Sequence, residues 1–490
     1  MKLKESIYMI VTLLGMSIIY GCSDWLDYTP KDKQIENQQF SSREGFYAAV
    51  NGVYNQLTST TLYGKNLTYG ALDCMGKRFN TGTSTSRREY LWAQHSYTDK
   101  NVAADISSIW NKAYGTILNA NVILENLELR KGILSEKDYN VIKGDLLTLR
   151  AFLHLDMLRL FGPVYSRKPE GQAIPYNDSG EAKAYELLSA KSVIYDHLIP
   201  DLVEAERLLK LSDPVIAEGA LNSDSDKGDN FLRYRQLRLN YYTAILLKAR
   251  AYLWAGDKAN AAIEARKITD DPQVKTNFPF VNSDKLVGNS VDPDRVFSSE
   301  VLFGFYNSNR NSIYTSIFDG ANLSQNALLQ PRGTYLELLF PNKADYRFMS
   351  QWTKYGDLYT FVKYKEITVD PNNPPFYTYF MPLIHLSEAY YIAAEALIGT
   401  EFTASVSYLN TILKARGEVE LGQEVQPAAV LDEIKKEYMR ETIGEGQVFY
   451  MLKRFYQAMS GVYNAETGSN VAASEARFVL PLPESEKTNR

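Results

Sequence analysis

Apolar residues recur at helical spacing along most of this chain, and the clearest case lies in residues 139–161. The apolar positions there stand three, four or seven residues apart, which places them on one face of a helix: Ile142, Leu146, Leu149, Leu153 and Leu160. Gly162-Pro163 predicts the end of this helix, because proline cannot continue it. The same spacing predicts further helices over 46–57, 106–128, 241–255, 258–268, 385–398 and 402–416.

Four of these segments form two predicted helix pairs, 241–255 with 258–268 and 385–398 with 402–416. Asn240 is the expected N-cap of the first pair, because its side-chain oxygen can accept from a free backbone N–H group. Small residues recur at spacings that resemble a tetratricopeptide pair: Ala249, Gly256, Ala261 and Ala265. The predicted fold is therefore mostly α, a tetratricopeptide-like helical repeat scaffold with long irregular loops and a few short strands, such as 299–306.

Long segments between the predicted helices lack the helical spacing. They are rich in Gly, Pro, Asn, Asp and Ser, and they far exceed the usual connection of about 4–6 residues: 61–100, 211–235, 271–300, 306–380 and 418–428. They also contain many Tyr and Trp residues, whereas disordered segments are poor in aromatic residues. We therefore expect ordered loops that carry function.

The N-terminal segment has the order of a secretory signal. Two lysines precede a short apolar run over 7–20, and the small residue Gly21 stands just before Cys22. The run is shorter than the about 20 apolar residues that span a bilayer. Gly21-Cys22 resembles the lipobox of bacterial lipoproteins, so we predict a lipoprotein signal peptide over 1–21 and a lipid attached to Cys22. The alternative is an ordinary secretory signal with a chance cysteine.

The amino-acid composition limits the disulfides and the binding partners that are expected. Cys74 is the only other cysteine, so with Cys22 lipidated no internal disulfide is expected. The formal net charge is −5 with acids and bases interspersed, which leaves no basic stripe for nucleic acid. Tyrosine is abundant, with 35 residues against 21 Phe and 5 Trp. Because tyrosine has an apolar ring and a polar tip, many half-exposed contact positions are expected.

Catalytic and cofactor motifs are sparse. The four histidines are far apart in sequence, and the chain has no metalloprotease motif, phosphate-binding loop, dinucleotide fingerprint or serine nucleophile elbow. A pair of carboxylates for glycoside cleavage stays an open alternative, because only the distance between the two groups in the folded protein would identify it. Residues 224–229 superficially resemble a calcium loop, but the glycine comes one place early and Arg235 replaces the expected glutamate. We interpret 224–229 as a solvated loop, with a calcium site of another geometry as the alternative, and expect no cofactor or metal.

Several short motifs follow one another along nearly the whole chain. They begin with Trp25-Leu26-Asp27 and Pro30, and the further ones are 48–54 (AAVNGVY), 110–124 (WNKAYGTILNANVIL), 149–164 (LRAFLHLDMLRLFGPV), 249–262, 388–397 (EAYYIAAEAL), 445–454 (EGQVFYMLKR) and 478–489 (FVLPLPESEKTN). In this order they resemble the SusD/RagB family of surface lipoproteins. Three positions depart from the family pattern: His385 stands for an arginine, and Val448 and Met451 stand for an arginine and an aspartate. We expect apolar packing in place of ion pairs at these positions.

The resemblance implies a function for the chain. Members bind nutrients beside a SusC-like TonB-dependent transporter, so residues 22–490 would form a single SusD-like domain with a loop-rich ligand-binding region around 271–380. The protein would bind a glycan and deliver it to the transporter without catalysis. It would be lipid-anchored in the outer membrane and face the cell exterior. The alternatives are a peptide-binding member of the same scaffold and a helical glycoside hydrolase.

The resemblance also directs attention to aromatic residues in two loop segments, because relatives bind through loop-borne aromatics. A flat ring matches the apolar CH face of a sugar, and polar neighbours orient its hydroxyls. Trp92 and Tyr314 are the first candidates, and the others are Arg78, Tyr90, Tyr97, Tyr306, Asn309 and Arg310. For each of them the alternative is a packing residue under a long loop. Trp110 and Trp254 lie on helical patterns and are predicted core residues, and Trp25 is expected to pack near the N-terminal tether.

Overall fold

The structure is a computed structural model. It describes residues 31–286, 293–324, 327–329, 331, 333–367, 375–422, 424–459 and 471–488. The predicted signal peptide, Cys22 and Trp25 lie outside the described residues. None of the described helices is long and apolar enough to span a membrane.

The scaffold is built from ten helices in the described part of the chain. They are α1 (Arg43–Leu57), α2 (Lys100–Leu129), α3 (Glu136–Phe161), α4 (Ile199–Ser212), α5 (Tyr241–Trp254), α6 (Lys258–Thr269), α7 (Leu386–Leu397), α8 (Phe402–Ala415), α9 (Pro427–Glu441) and α10 (Gln447–Arg454). All seven predicted helices are therefore present, and α4, α9 and α10 are additional. The Asn240 side chain accepts from the backbone N–H of Thr243 at the start of α5, as predicted for an N-cap.

Successive scaffold helices pack against each other from α1 to α8. Helices α6 and α7 are among these pairs, although residues 270–385 lie between them in sequence. Alanines on α6, Ala261 and Ala265 among them, are fully buried and allow close approach. The predicted tetratricopeptide-like repeat architecture is confirmed, with residues 270–385 as an insert between two adjacent helices.

Helix α3 is the centre of the scaffold. The five apolar positions predicted to form one stripe are buried, but so are most residues on its other faces, including Asp145, Arg150 and His154. The buried polar side chains are paired: Arg235 binds Asp145 with an Nη2 to Oδ1 distance of 2.7 Å. A helix surrounded on all sides replaces the predicted one-sided helix, because α2, α4 and α5 all pack against it.

The insert contains two antiparallel strand pairs. Strand β1 (Val301–Tyr306) pairs with β4 (Phe380–His385), and β2 (Trp352–Tyr355) pairs with β3 (Leu358–Phe361). Strand β4 leads directly into α7. The predicted strand over 299–306 is present, and its first residues form a 3-10 turn, Ser298–Glu300. The β1–β4 pair thus fixes the base of the insert on the scaffold.

Short helical segments occupy much of the chain that was expected to be irregular. The α-helical ones are Lys31–Gln39, Ala71–Met75, Arg88–Ala93, Ala190–Ser192, Val215–Glu218, Pro272–Asn277, Arg310–Ile317, Gly333–Leu339, Tyr346–Gln351, Glu475–Phe478 and Glu484–Thr488. A π-helical turn covers Val193–Leu198, and 3-10 turns also cover Arg235–Leu237, Ser283–Lys285 and Phe376–Thr378. The described parts of these segments therefore contain much regular structure.

A buried ionic cluster joins the insert to the end of the scaffold. Arg416 follows α8 and donates from Nη2 to Glu300 (2.7 Å), and both side chains are fully buried. It also binds Glu441 of α9, which Arg347 of the insert contacts at 3.0 Å. The cluster consists of Glu300, Asp345, Arg347, Arg416, Glu437 and Glu441. Every member gains an opposite charge, which buried ions require.

The three departures from the family pattern lie in the interior. Val448 and Met451 are buried, in agreement with the expected apolar packing. His385 differs, because its Nε2 lies 2.9 Å from Glu445 Oε1 and the Lys363 ammonium binds the same oxygen at 2.6 Å. Burial works against a charged imidazole, but Glu445 outweighs this effect and raises the pKa of His385. An ionic contact is therefore kept at this position.

Candidate functional site

The first predicted ligand segment, 78–97, is mostly buried. Trp92 is 2% exposed, and its indole N–H donates to Asp105 Oδ2 (3.4 Å). The ring of Tyr97 meets Trp92 edge-on with centroids 6.2 Å apart, and the Tyr97 hydroxyl donates to the carbonyl of Arg477. Arg78 is 2% exposed and donates to the Tyr335 hydroxyl (2.6 Å). Tyr90 is half-buried.

The second predicted segment, 306–314, divides into buried and exposed residues. Tyr314 is buried in the helix Arg310–Ile317, and its burial raises the pKa of the hydroxyl to about 12. Arg310 is also buried and donates to the carbonyl oxygens of Tyr377 and Phe380. Burial among these neutral acceptors lowers the pKa of Arg310 to about 10. Arg310 therefore holds the loop that precedes β4.

These observations change the roles of five predicted ligand residues. Arg78, Trp92, Tyr97, Arg310 and Tyr314 are each at least nine-tenths buried. A ring with both faces packed against protein offers no surface on which a sugar can stack, and a guanidinium bound to carbonyl oxygens has little left to donate. In this structure they are packing and loop-anchoring residues, and the exposed candidates that remain are Tyr306, Asn309 and the half-buried Tyr90.

The exposed candidates centre on a pair of tyrosines, which we name the Tyr306–Tyr379 pair. Tyr306 is the last residue of β1, and at 51% it is the one exposed position of that strand. The ring of Tyr379, which precedes β4, lies 5.2 Å from that of Tyr306 at an interplanar angle of 54°. The Asn307 N–H donates to the Tyr379 carbonyl (2.8 Å), and Asn309 is exposed beside it. Two rings thus lie at the end of the β1–β4 pair, and Arg310 donates to the carbonyl oxygen of Phe380 at the start of β4.

Apolar packing joins the first predicted segment, 78–97, to the insert. Phe79 lies against Phe318 with ring centroids 5.5 Å apart and against Phe361 at 6.2 Å. Arg87 donates to the carbonyl oxygen of Ala327 (2.7 Å). The loop around residue 80 is therefore part of the same folded region as the insert. This shared interior explains why three of the five aromatic candidates, Trp92, Tyr97 and Tyr314, are buried.

A second concave surface, the Tyr114–Tyr185 cleft, lies beside α2. Its volume is about 440 Å³, and its walls are formed by Trp110, Asn111, Tyr114, Pro175, Asn177, Lys183, Ala184, Tyr185 and Glu486. The Tyr114 hydroxyl donates to the Pro175 carbonyl (3.1 Å), and the Tyr185 hydroxyl accepts from the Ser179 N–H (3.1 Å). Volumes of about 300–1,000 Å³ suit small ligands. The sequence patterns did not indicate this cleft, because residues 163–189 stood outside the predicted loops.

Titratable groups with strongly shifted pKa values are tied into the fold. Burial raises the pKa of Asp73 to about 7, although its carboxylate accepts from the N–H groups of Gly444 (2.7 Å) and Gly446 (3.1 Å). Burial lowers the pKa of Lys453 to about 7, and its ammonium group donates to the carbonyls of Arg159 and Gly162. Neither group lines the Tyr114–Tyr185 cleft. These groups hold turns and helix ends in place.

Possible metal ligands are also engaged or dispersed. The described residues contain no group of three or more His, Cys, Asp or Glu side chains that could hold a metal ion. In the segment that resembles a calcium loop, Asp224 accepts from Asn230 (3.0 Å) and Tyr234 (2.7 Å), and Asp229 binds Arg43 (2.6 Å). Cys74 is a free, buried thiol.

The fold and its exposed loop aromatics define a class of helical-repeat protein with a loop-rich insert, and the comparisons agree. Residues 24–215 match a family model described as "Starch-binding associating with outer membrane", and residues 281–479 match the SusD family model. The chain belongs to the SusD/RagB family. No curated protein matches the sequence.

Solved structures of this superfamily share the fold. A SusD superfamily protein from Bacteroides thetaiotaomicron is 22% identical with a TM-score of 0.69, and the match covers 91% of this chain and 98% of that one. A SusD-like carbohydrate-binding protein from Bacteroides vulgatus is 19% identical with a TM-score of 0.67, over 91% and 96% of the two chains. A SusD superfamily protein from Parabacteroides distasonis is 18% identical with a TM-score of 0.65, over 91% and 97%. At these identities the likeness shows the fold alone.

Proposed function

We propose that this protein is a lipid-anchored outer-membrane lipoprotein that captures an oligosaccharide at the cell exterior and passes it to a SusC-like TonB-dependent transporter, without catalysis. Family membership supports carbohydrate binding as the general function. The observation that carries the proposal for this chain is the Tyr306–Tyr379 pair. Two tyrosine rings are exposed or half-exposed at the end of an anchored strand pair, with amide side chains beside them.

The pair suits a sugar for physical reasons. Tyrosine rings supply apolar area at low entropic cost, and their hydroxyls remain available for hydrogen bonds. The β1–β4 pairing and the Arg310 contacts order the backbone beneath the rings before any ligand binds. Preorganisation of this kind reduces the cost of binding. Asn309 is exposed near the pair and can orient a ring hydroxyl.

A glycan array followed by calorimetry on the best ligand tests the site. We expect Tyr306→Ala and Tyr379→Ala each to weaken binding about tenfold or more, as loss of an aromatic anchor commonly does. Tyr355→Ala is the matched control, because Tyr355 is an exposed tyrosine (38%) at the end of β2 on the other strand pair. Equal affinities for all three variants and the unaltered protein would exclude the Tyr306–Tyr379 pair as the site.

A variant in the second concave surface distinguishes the two locations. If Tyr185→Ala weakens glycan binding while Tyr306→Ala does not, the ligand lies in the Tyr114–Tyr185 cleft. Incubation of the ligand with the purified protein tests the absence of catalysis, because release of shorter sugars would show a hydrolase. A peptide library screened in the same format separates the peptide-binding alternative. Co-purification of a barrel transporter from detergent-solubilised outer membranes tests the partner, and consistent isolation of the protein alone would count against it.

A further inference from the structure

A small polar cavity lies where five scaffold helices meet. Its volume is about 30 Å³, and its walls come from α3, α5, α7, α9 and α10. This space is large enough for one water-sized particle. The lining residues are Arg159, Arg250, Leu253, Trp254, Glu388, Ile392, Tyr438, Gln447, Tyr450, Met451 and Arg454. The cavity is distinct from both candidate ligand surfaces.

Four hydrogen-bond donors on the wall lack an acceptor among the residues that the structure describes. They are Arg159 Nε, Arg250 Nη1, Trp254 Nε1 and the Tyr450 hydroxyl. Each of these side chains is more than nine-tenths buried, with exposed fractions of 3%, 5%, 5% and 2%. A buried donor without an acceptor costs about 1–3 kcal/mol. Four such donors around one cavity indicate a shared acceptor.

The remaining atoms of the two arginines fix their orientation. Arg250 donates from Nε and Nη2 to Glu388 at 2.7 and 2.6 Å, which leaves Nη1 free. Arg159 donates from Nη1 to Gln447 Oε1 (3.1 Å) and from Nη2 to Asp156. Its guanidinium group also lies over the ring of Tyr450, with its central carbon 3.8 Å from the centroid. The free donors are therefore held in place by neighbouring contacts.

The free groups on the wall favour an occupant that accepts hydrogen bonds. Three guanidinium groups line the cavity, those of Arg159, Arg250 and Arg454, against the single carboxylate of Glu388. Arg454 is paired with Glu395 (2.7 Å), which is not a lining residue. Each of the three guanidinium groups has a carboxylate partner, so the wall offers the unused N–H groups of Arg159 and Arg250 rather than an unpaired positive charge.

A water molecule cannot accept from all four of these donors. Water accepts two hydrogen bonds, whereas the guanidinium and indole groups supply three donors that cannot accept, and the Tyr450 hydroxyl supplies a fourth. The two hydrogens of a water would also need acceptors, and the Glu388 carboxylate and Gln447 Oε1 on the wall already accept from Arg250 and Arg159. An anion accepts from all four groups and donates to none. We propose that this cavity binds a small monovalent anion of the size of chloride, as a structural ion between α3, α5 and α10.

Bromide provides a direct test, because it replaces chloride and scatters anomalously. Crystals of the protein soaked in sodium bromide should show an anomalous peak within hydrogen-bonding distance of Arg250 Nη1 and Trp254 Nε1. A cavity that shows no bromide peak while bromide occupies other positions in the crystal would overturn the proposal. Density for a water alone, unchanged by bromide, would do the same.

Thermal unfolding at constant ionic strength tests the ion in solution. Gluconate is too large for the cavity, so replacing it by chloride should raise the unfolding midpoint of the unaltered protein by about 2 °C. Met451→Leu should keep this difference, because the substitution nearly conserves volume. Met451→Asp should abolish it, because its carboxylate would act as the acceptor.

The proposal is overturned if chloride and gluconate give the same unfolding midpoint for the unaltered protein and also for Met451→Leu. It is also overturned if Met451→Asp folds and keeps the full chloride response. Should Met451→Asp fail to fold, the Met451→Leu measurement and the bromide map still decide.

Discussion

Asp73 shows how one buried carboxylate organises a distant turn. Asp73 lies early in the chain, between α1 and α2, yet its carboxylate accepts from the N–H groups of Gly444 and Gly446, just before α10. Both glycines have positive φ, +85° and +75°, which side chains rarely adopt. A Cβ on Gly446 would also lie 2.8 Å from the Leu67 carbonyl oxygen. The carboxylate thus holds a backbone conformation that only glycine adopts easily.

Asp73 should make the stability of the protein depend on pH. Burial raises its pKa to about 7 from an ordinary value near 3.8, so the folded protein binds the proton more tightly than the unfolded chain. Its contribution is therefore complete below about pH 4 and is lost as the pH rises to about 7, with a slope of at most about 1.4 kcal/mol per pH unit.

Urea unfolding at pH 4, 5, 6 and 7 measures this effect when the protein is compared with Asp73→Asn, which cannot titrate. As the pH rises, the free energy of unfolding of the unaltered protein should fall steadily relative to that of Asp73→Asn. A difference that stays constant across this range would contradict the assignment. Other shifted groups are common to both proteins and cancel.

Individual aromatic residues mark the limit of what the sequence could predict. Trp110 and Trp254 were expected in the core from their helical positions and are buried. Trp92 and Tyr314 were expected at a ligand because the family resemblance implies binding by loop-borne aromatic residues, but both side chains are buried. Exposure depends on which distant segments meet, and local pattern carries no information about that.

At the scale of elements, the ionic cluster determines how the insert is attached. Arg416 bridges Glu300, at the start of β1, and Glu441, at the end of α9. Burial alone would raise the pKa of Glu441, but Arg416 and Arg347 overcome this and hold it well below its usual range. The insert and the last scaffold helices are therefore stabilised by the same charges.

Removal of Arg416 should destabilise the protein strongly. Arg416→Met leaves two buried carboxylates short of an opposite charge, so we expect a loss of about 3–5 kcal/mol in the free energy of unfolding. Arg266→Met is the matched control, because Arg266 and its partner Glu401 are 32% and 51% exposed and such a pair contributes about 1 kcal/mol or less. Denaturant unfolding measures both. Equal losses for the two variants would show that Arg416 in the buried cluster contributes no more to stability than Arg266 in an exposed ion pair.

Elements were predictable where their signal is local. Helices α5 and α6 and the Asn240 cap follow from spacing, breakers and capping chemistry over a few residues. Strand β4 was not predicted, because Phe380–His385 has no apolar and polar alternation and pairs with a strand about 80 residues earlier. Its partner β1 was identified, but the pairing depends on long-range contacts.

At the scale of the whole molecule, the proposed anchor gives a prediction on localisation. Cys22 lies outside the described residues, so the test is biochemical. We expect Cys22→Ala to move the protein from the membrane fraction to the soluble fraction, because no lipid can then be attached. Cys74→Ala is the control and should remain in the membrane fraction, since Cys74 is a buried thiol far along the chain. Fractionation with an antibody measures both variants, and unchanged partition of Cys22→Ala would contradict the anchor.

The contact between α6 and α7 has a consequence for biosynthesis. A ribosome adds roughly 5–20 residues per second, so α7 follows α6 with a delay on the order of 10 s while the insert is made. During that time α6 has α5 beside it but lacks the contact with α7 that it makes in the finished protein. The nascent chain thus carries an uncovered apolar surface until residue 386 and its successors emerge. That interval is when premature release or binding by a chaperone would affect this protein most.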